Sequence, residues 1–283
     1  MNRTRALLAG LCLAAMATPV LAAKSSTPAK PTEADWRTPA PETVMVIDTN
    51  KGRVLVEMIP EVAPNHVARL QDLTRAGVYD GRTFFRVIDR FMAQTGDPQN
   101  TGEGGTDKPN LKAEFTFRRT AETDFVPMAA PAGLEVGYLK SLPVVSQARS
   151  WSEMTSDKKV SAWGTYCPGV LGMARDEDNN SANSQFFLMR QPYPSLDKRY
   201  TAFGRVISGL DVVRSIKTGE PVPPPQDLMQ KVRLLSDIPE SERPKVRVID
   251  PKGPWFAAET QRLRALKGAD FSVCDIDLPV DIH

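Results

Sequence analysis

The chain has 283 residues, of which 41% are hydrophobic and 25% are charged, and its formal net charge is +2 at pH 7. These values are typical of a globular protein and exclude a disordered or fibrous chain. The small net charge gives no support for electrostatic attraction to nucleic acid. With two histidines and three cysteines, the chain offers few of the usual zinc ligands, so we expect no metal site.

The N-terminus, residues 1–22, has the pattern of a secretory signal peptide. Arg3 and Arg5 give a positive start, and the apolar run 6–17 has the length of a signal-peptide core. We expect cleavage after Ala22, which would leave a periplasmic or secreted protein with no stable membrane span. The alternative is an uncleaved anchor, which is disfavoured because the apolar run is short for a bilayer.

Cleavage would also remove Cys12 and leave a pair of cysteines, Cys167 and Cys274. In an exported protein such a pair can form a disulfide. Two free buried thiols are equally compatible with the sequence, because sequence alone does not show whether the two Cα atoms approach each other.

The first structural elements are predicted after a linker. Residues 23–42 are rich in Ser, Thr, Pro, Lys and Ala and are interpreted as flexible. The segments 43–48 and 53–59 are rich in β-branched residues and flank Asn50-Lys51-Gly52, which favours a β-hairpin. Apolar residues then recur at three-residue spacing within 64–76, which predicts an amphipathic helix.

The rest of the chain alternates short apolar segments with Gly- and Pro-rich turns. Residues 118–165 have an irregular pattern and are interpreted as an insert, and 237–283 as a C-terminal extension. Short helices are expected at 210–216 and 255–266. Further strands are expected at 83–88, 91–94, 169–174, 185–189, 202–206 and 230–235. Many short strands with few helices favour a mainly β fold, a closed or nearly closed barrel.

Three stretches, in order, carry a family signature. They are FFRVI (84–88) with FMAQTGD (91–97), GVLGMA (169–174) with NSQFF (183–187), and SLD (195–197) with YTAFGRV (200–206). Together they resemble cyclophilin-type peptidyl-prolyl cis-trans isomerases of the bacterial exported type. The resemblance covers 43–236 apart from the insert, and it implies an eight-stranded antiparallel barrel capped by two α-helices. It calls for no cofactor.

The resemblance also implies roles for individual residues. Arg86 matches the catalytic arginine of the family, and Gln94 matches the glutamine beside it. Tyr200 falls where many members carry a histidine and would bind substrate. The remaining matched positions would bind substrate: Phe91, Met92, Phe187 and Leu196 as the apolar walls of a proline pocket, Gln185 as its polar floor, and Ala174 and Arg175 as the edge that contacts the peptide backbone.

Several positions depart from the commonest family pattern. Phe85 precedes the arginine where a histidine is frequent, Thr95 replaces a glycine, and Arg175 replaces an asparagine and so changes the charge of the rim. Ser195 stands where a tryptophan often supports tight cyclosporin binding, so we expect weak inhibition by cyclosporin.

These features predict an active isomerase that helps exported proteins to fold. Its partners would be proline-containing peptides and unfolded exported proteins, and it would act as a monomer. Two alternatives stay open at this point. One is a module that binds proline-containing segments, or a holdase, with little turnover. The other is a structural component of the cell envelope.

Overall fold

The computed structural model describes residues 29–283, so the predicted signal peptide lies outside the described residues. The described helices are α1 (Pro64–Arg75), α2 (Leu210–Ser215) and α3 (Pro254–Lys267). The strands are β1 (Trp36–Arg37), β2 (Val44–Thr49), β3 (Gly52–Met58), β4 (Arg82–Thr83), β5 (Arg86–Ile88), β6 (Met92–Thr95), β7 (Phe117–Arg119), β8 (Phe125–Ala129), β9 (Leu134–Leu139), β10 (Leu142–Gln147), β11 (Val160–Gly164), β12 (Val170–Met173), β13 (Phe186–Met189), β14 (Ala202–Ser208), β15 (Leu228–Leu234), β16 (Val246–Ile249) and β17 (Val280–Ile282).

The main sheet has nine antiparallel strands in the order β4-β15-β2-β3-β14-β12-β13-β6-β5. Its two edge strands, β4 and β5, are separated in sequence only by Phe84 and Phe85. The sheet therefore curls until its edges approach each other. The predicted mainly β fold is confirmed, and the curled sheet is consistent with the predicted closed eight-stranded barrel.

Local sequence explains the elements that start this sheet. The hairpin of β2 and β3 turns through Asn50 and Lys51, because Thr49 pairs with Gly52. Gly52 has φ of 137°, a conformation that L side chains rarely adopt. The hairpin and the helix expected at 64–76 are both confirmed.

Residues along the central strands alternate between two faces of the curled sheet, as a β-strand requires. Val87, Ala93 and Phe186 belong to the core inside the curl, together with the apolar faces of α1 and α2. Their neighbours in sequence, including Arg86 and Phe187, project from the opposite, outer face.

The insert 118–165 covers part of that outer face with a second antiparallel sheet, in the order β7-β11-β10-β9-β8. The irregular sequence pattern of this segment did not indicate these strands. Pro127 lies in β8, Gly137 in β9 and Pro143 in β10, and these residues interrupt the alternation from which strands are predicted. Pro127 is tolerated because β8 is an edge strand with a register shift at that point. Leu142 and Val144 of the insert share a core with Val170 and Met189 of the main sheet, both fully buried.

The C-terminal extension covers another part of the outer face. Strands β1, β16 and β17 form a three-stranded sheet, and α3 packs Phe256 against Tyr138 of the insert with ring centroids 5.2 Å apart. Cys167 of the isomerase region and Cys274 of the extension form a disulfide. The open question about these two cysteines is thus answered by the fold, which brings them together across 107 residues of sequence.

The segment 33–42 is ordered, so the flexible linker predicted for 23–42 is wrong over these residues. Trp36 pairs with Ile249, and Arg37 donates two hydrogen bonds of 2.6 Å to the buried carboxylate of Glu57. The composition of the segment is typical of a linker, but its partners lie elsewhere in the chain and outside the reach of a local pattern. Among residues 29–283, no helix has the length and apolarity needed to cross a bilayer.

Candidate active site

A cleft of about 610 Å³ opens on the outer face of the main sheet, beside β5, β6 and β13. It is lined by nine of the ten residues singled out from the sequence: Arg86, Phe91, Met92, Gln94, Ala174, Arg175, Phe187, Leu196 and Tyr200. The tenth, Gln185, lines a smaller adjoining cleft that shares Gln94 with the first. Five separate segments of sequence therefore meet at one place.

Strand register creates the centre of the cleft. Arg86 pairs with Gln94 across β5 and β6, Gln94 pairs with Phe187 across β6 and β13, and Phe187 pairs with Gly172 across β13 and β12. Directly opposed residues of an antiparallel sheet project from the same face. One row across four strands thus carries a cation, an amide, an aromatic ring and a residue without a side chain.

A chain of hydrogen bonds runs along the polar side of the cleft. Arg86 Nη1 donates to Gln94 Oε1 at 3.3 Å, and Gln94 Nε2 donates to Gln185 Oε1 at 2.9 Å. Gln185 Nε2 then donates to the carbonyl oxygens of Gly102 at 3.1 Å and Gly104 at 2.8 Å. Because the last acceptors are backbone carbonyls, both amides have one consistent orientation, and each turns its oxygen toward Arg86.

The apolar side of the cleft is held equally firmly. Phe187 is stacked on Tyr166 at 5.8 Å and meets the ring of Tyr200 edge-on at 5.7 Å. A Cβ on Gly172 would lie 2.4 Å from the Phe187 ring and 2.6 Å from the Tyr166 hydroxyl, so only glycine leaves room for this packing. Burial raises the pKa of Tyr166 well above its ordinary value, and the ring behind the pocket therefore stays neutral.

The rim at Ala174 and Arg175 is more fully occupied than expected. The Ala174 amide already donates to the Gln185 carbonyl at 3.0 Å. Arg175 Nη1 donates to the Asp176 carbonyl at 2.6 Å and Nη2 to the Arg199 carbonyl at 3.1 Å. Its guanidinium lies 4.6 Å from the centroid of the Tyr200 ring. The Arg175 side chain therefore supports the rim at Tyr200 while adding its positive charge there.

Sequence reasoning missed Asp97, which organises the loop that carries Gly102 and Gly104. Asp97 is fully buried. Its carboxylate accepts bonds from the amides of Gln99 at 2.8 Å, Thr101 at 2.7 Å and Gly102 at 2.6 Å. Desolvation opposes ionisation of Asp97, but these hydrogen bonds outweigh it and hold its pKa below the ordinary value. In the sequence, Asp97 stands out only as the last residue of the FMAQTGD stretch and by the Gly-rich loop that follows it.

Sequence reasoning also missed Glu220, whose Oε1 accepts a 2.6 Å hydrogen bond from Arg86 Nε. The two residues are 134 positions apart. Glu220 lies outside every stretch that carries the family signature, so no local motif indicates the contact. Asn100, Glu103 and Gln226 also line the cleft without having been singled out.

Comparison with known proteins identifies the family. The sequence model described as cyclophilin type peptidyl-prolyl cis-trans isomerase/CLD matches residues 44–236. The chain belongs to this family. The resemblance to cyclophilin-type isomerases is thereby confirmed, and with it the enzyme class of peptidyl-prolyl cis-trans isomerase.

Individual cyclophilins and isomerases show how far the similarity extends. A probable peptidyl-prolyl cis-trans isomerase of Brucella suis is 34% identical over 190 residues, covering 63% of this chain and 74% of the relative. Peptidyl-prolyl cis-trans isomerase B of Bacillus subtilis is 30% identical over 187 residues, covering 66% of this chain and 92% of the relative. The crystal structure of cyclophilin AquaCyp293 from Hirschia baltica matches with a TM-score of 0.81 and 34% identity, over 88% of this chain and 94% of that one. The structural likeness therefore reaches beyond the span 44–236.

The Asp97 loop generates a testable prediction. Asp97→Asn turns an NH₂ group toward backbone N–H donors, and each buried donor left unsatisfied costs about 1–3 kcal/mol. We expect kcat/KM for a proline peptide to fall by about tenfold at pH 7. Since the pKa of Asp97 is lowered in the fold, its stabilising effect is complete above the ordinary value and is lost as pH falls below it.

Thermal unfolding between pH 7 and pH 3, with the peptide assay at pH 7, measures both effects. Wild type should lose stability below about pH 4 more steeply than Asp97→Asn does. Asp178→Asn, in an exposed loop, is the control. Equal acid sensitivity and equal kcat/KM in Asp97→Asn and wild type would contradict the role given to Asp97.

Proposed function

We propose that this isomerase acts on X-Pro bonds of unfolded exported proteins and so assists their folding, with Arg86 as the catalytic residue. The observation that carries the proposal is the position of Arg86. Its guanidinium stands at the polar edge of a cleft whose other wall is apolar, where Gln94 orients it. Slow X-Pro rotation can limit folding, so such a catalyst has a use in any compartment that receives unfolded chains.

The reaction breaks no covalent bond. Rotation about an X-Pro amide has a barrier of about 18–20 kcal/mol because resonance gives the C–N bond partial double-bond character. The cis and trans ground states differ by only about 0.5–1 kcal/mol, so no net driving force is needed. A catalyst must weaken the resonance and hold one side of the bond while the other side turns.

The guanidinium of Arg86 suits the first of these tasks. Of its five N–H donors, the Nε–H bonds to Glu220 and one Nη1–H bonds to Gln94, which leaves three for a substrate. A donor aimed at the prolyl nitrogen gains strength as the nitrogen becomes pyramidal and its lone pair localises. The interaction is thus stronger in the twisted state than in the ground state, as catalysis requires. A second donor can hold the carbonyl on the C-terminal side of the proline.

The apolar wall suits the second task. The side chains of Phe91, Met92, Phe187 and Leu196 line the cleft together, and Met92 and Phe187 are almost fully buried, at 2% and 5% exposure. A proline ring seated against them would be desolvated and fixed, while the residue before the proline stays outside and can rotate. Exclusion of water also strengthens the hydrogen bonds from Arg86.

The disulfide supports the proposed export. Disulfides persist in oxidising compartments and are rare in the cytosol, and Cys167 and Cys274 remain if the leader is removed after Ala22. N-terminal sequencing and thiol titration of the chain recovered from fractionated cells test this. We expect a mature chain that begins at Ala23 in the exported fraction and has no free thiol. A chain in the cytosolic fraction that retains Met1 and has three reactive thiols, at Cys12, Cys167 and Cys274, would contradict export.

The role of Arg86 is tested by a paired isomerisation assay on an Ala-Pro peptide. We expect Arg86→Ala to lower kcat/KM by about 10²–10³-fold, the usual effect of removing a group that stabilises the transition state. Arg53→Ala is the control, because Arg53 is also a strand arginine whose Nε bonds to a carboxylate, that of Asp48, at 2.6 Å outside the cleft. Equal rates in wild type and Arg86→Ala would remove Arg86 from the mechanism.

A further inference from the structure

Glu220, the carboxylate partner of Arg86, lies beside the arginine although the two residues are 134 positions apart in sequence. We infer that Glu220 is a positioning residue of the isomerase, which holds the Arg86 guanidinium from its Nε side while Gln94 holds it from Nη1. This inference rests on the function proposed above. It concerns an acid that lies outside all three stretches on which the resemblance to the family was based.

The backbone on either side of Glu220 is anchored to the two residues that flank Arg86. Gly219 and Val87 exchange a pair of hydrogen bonds, each of 2.8 Å. The Val222 amide donates to the Phe85 carbonyl at 2.8 Å. The segment 219–222 therefore follows the free edge of β5, and Glu220 is fixed beside Arg86 by main-chain contacts.

The side chain of Val222, at the C-terminal end of the segment 219–222, also holds the segment in place. Val222 is 2% exposed and belongs to the core inside the curled sheet. A Cβ on Gly219 would lie 2.6 Å from the Val222 Cα and 2.7 Å from the Pro221 carbonyl oxygen, so the turn is as tight as backbone contacts allow. The core thus fixes the position of the Glu220 Cα, and only the rotamer of the Glu220 side chain is left unfixed by these contacts.

The hydrogen-bond geometry suggests what the carboxylate does. Glu220 Oε1 lies 2.6 Å from Arg86 Nε, and Gln94 Oε1 lies 3.3 Å from Nη1. Two acceptors at different nitrogens fix both the position and the plane of a rigid guanidinium, whereas one acceptor leaves it free to pivot. Neither acceptor bonds to Nη2, so both of its donors remain for the substrate.

The solvent exposure of the Arg86–Glu220 pair indicates that Glu220 orients Arg86 rather than stabilising the fold. The Arg86 side chain is 39% exposed and that of Glu220 is 56% exposed. Ion pairs this accessible to water contribute little to folding stability. The pair is therefore placed where it matters to the orientation of Arg86 more than to the fold, and Glu220 can be replaced without unfolding the protein.

The test compares Glu220→Ala and Glu220→Gln with wild type in the isomerisation assay, with kcat and KM resolved. We expect Glu220→Ala to lower kcat by about five- to tenfold with KM within twofold, because the pocket that seats the proline is untouched. Glu220→Gln should recover most of the loss, since its amide oxygen can still accept the Nε–H. Asp237→Ala is the matched control: it removes a carboxylate from the Nε of Arg75, in a pair that is also exposed and lies outside the cleft.

A second readout reports on Arg86 itself. In ¹⁵N-edited NMR without substrate, the Arg86 Nε–H should exchange slowly with water in wild type and faster in Glu220→Ala. An unchanged or raised kcat in Glu220→Ala, or an effect confined to KM, would overturn the positioning role. These outcomes are distinguishable from failure of the proposed function, because an inactive wild type would overturn both inferences, whereas an active wild type leaves only the role of Glu220 in question.

Discussion

The antiparallel register of four strands is the constraint on which the rest of the site depends. It places Arg86, Gln94, Phe187 and Gly172 in one row on the outer face of the curled sheet. A shift of one residue in any of these pairings would turn the row into the core and bring Val87, Ala93 and Phe186 out to water. The same burial that stabilises the fold therefore fixes the catalytic row, and loss of register would cost both together.

Polar contacts refine what the register provides. Gln185 lies two residues before Phe187 in sequence, and its side chain connects Gln94 to the loop organised by Asp97. Glu220 approaches from the opposite edge of β5. In the proposed mechanism Arg86 thus acts between one amide and one carboxylate. The Gln94 amide is held through Gln185 by backbone carbonyls, and Glu220 is positioned by the main-chain contacts of the residues around it. Such preorganisation is what a catalyst needs when its whole contribution is electrostatic and positional.

The insert and the extension cover apolar residues on the outer face of the curled sheet. Arg205, 6% exposed, donates to the Tyr138 hydroxyl of the insert at 3.1 Å and to the Ile276 carbonyl of the extension at 3.4 Å. The Cys167–Cys274 disulfide joins the extension to the core that also contains Phe187. Both segments are therefore parts of one folded body rather than separate modules attached to it.

These contacts explain which elements could be predicted from the sequence and which could not. The hairpin β2–β3, helix α1 and the nine cleft residues could be predicted because periodicity and ordered motifs are local or family-wide signals. The insert sheet was missed because Pro143 and Gly137 break its alternation, and the ordered segment at Trp36 because its partner strand lies more than 200 residues away. Glu220 acts through one long-range contact and Asp97 through several hydrogen bonds within one loop, and such contacts leave almost no pattern in one sequence.

A double-mutant cycle between Arg86 and Gln94, read in kcat/KM for a proline peptide, tests the central claim most directly. If Gln94 acts by orienting Arg86, Gln94→Ala should lower kcat/KM in the wild-type background and change it by less than about twofold once Arg86→Ala is present. Effects of the two substitutions that simply multiply would show that the residues act independently, and would contradict the claim that Gln94 orients Arg86 for catalysis.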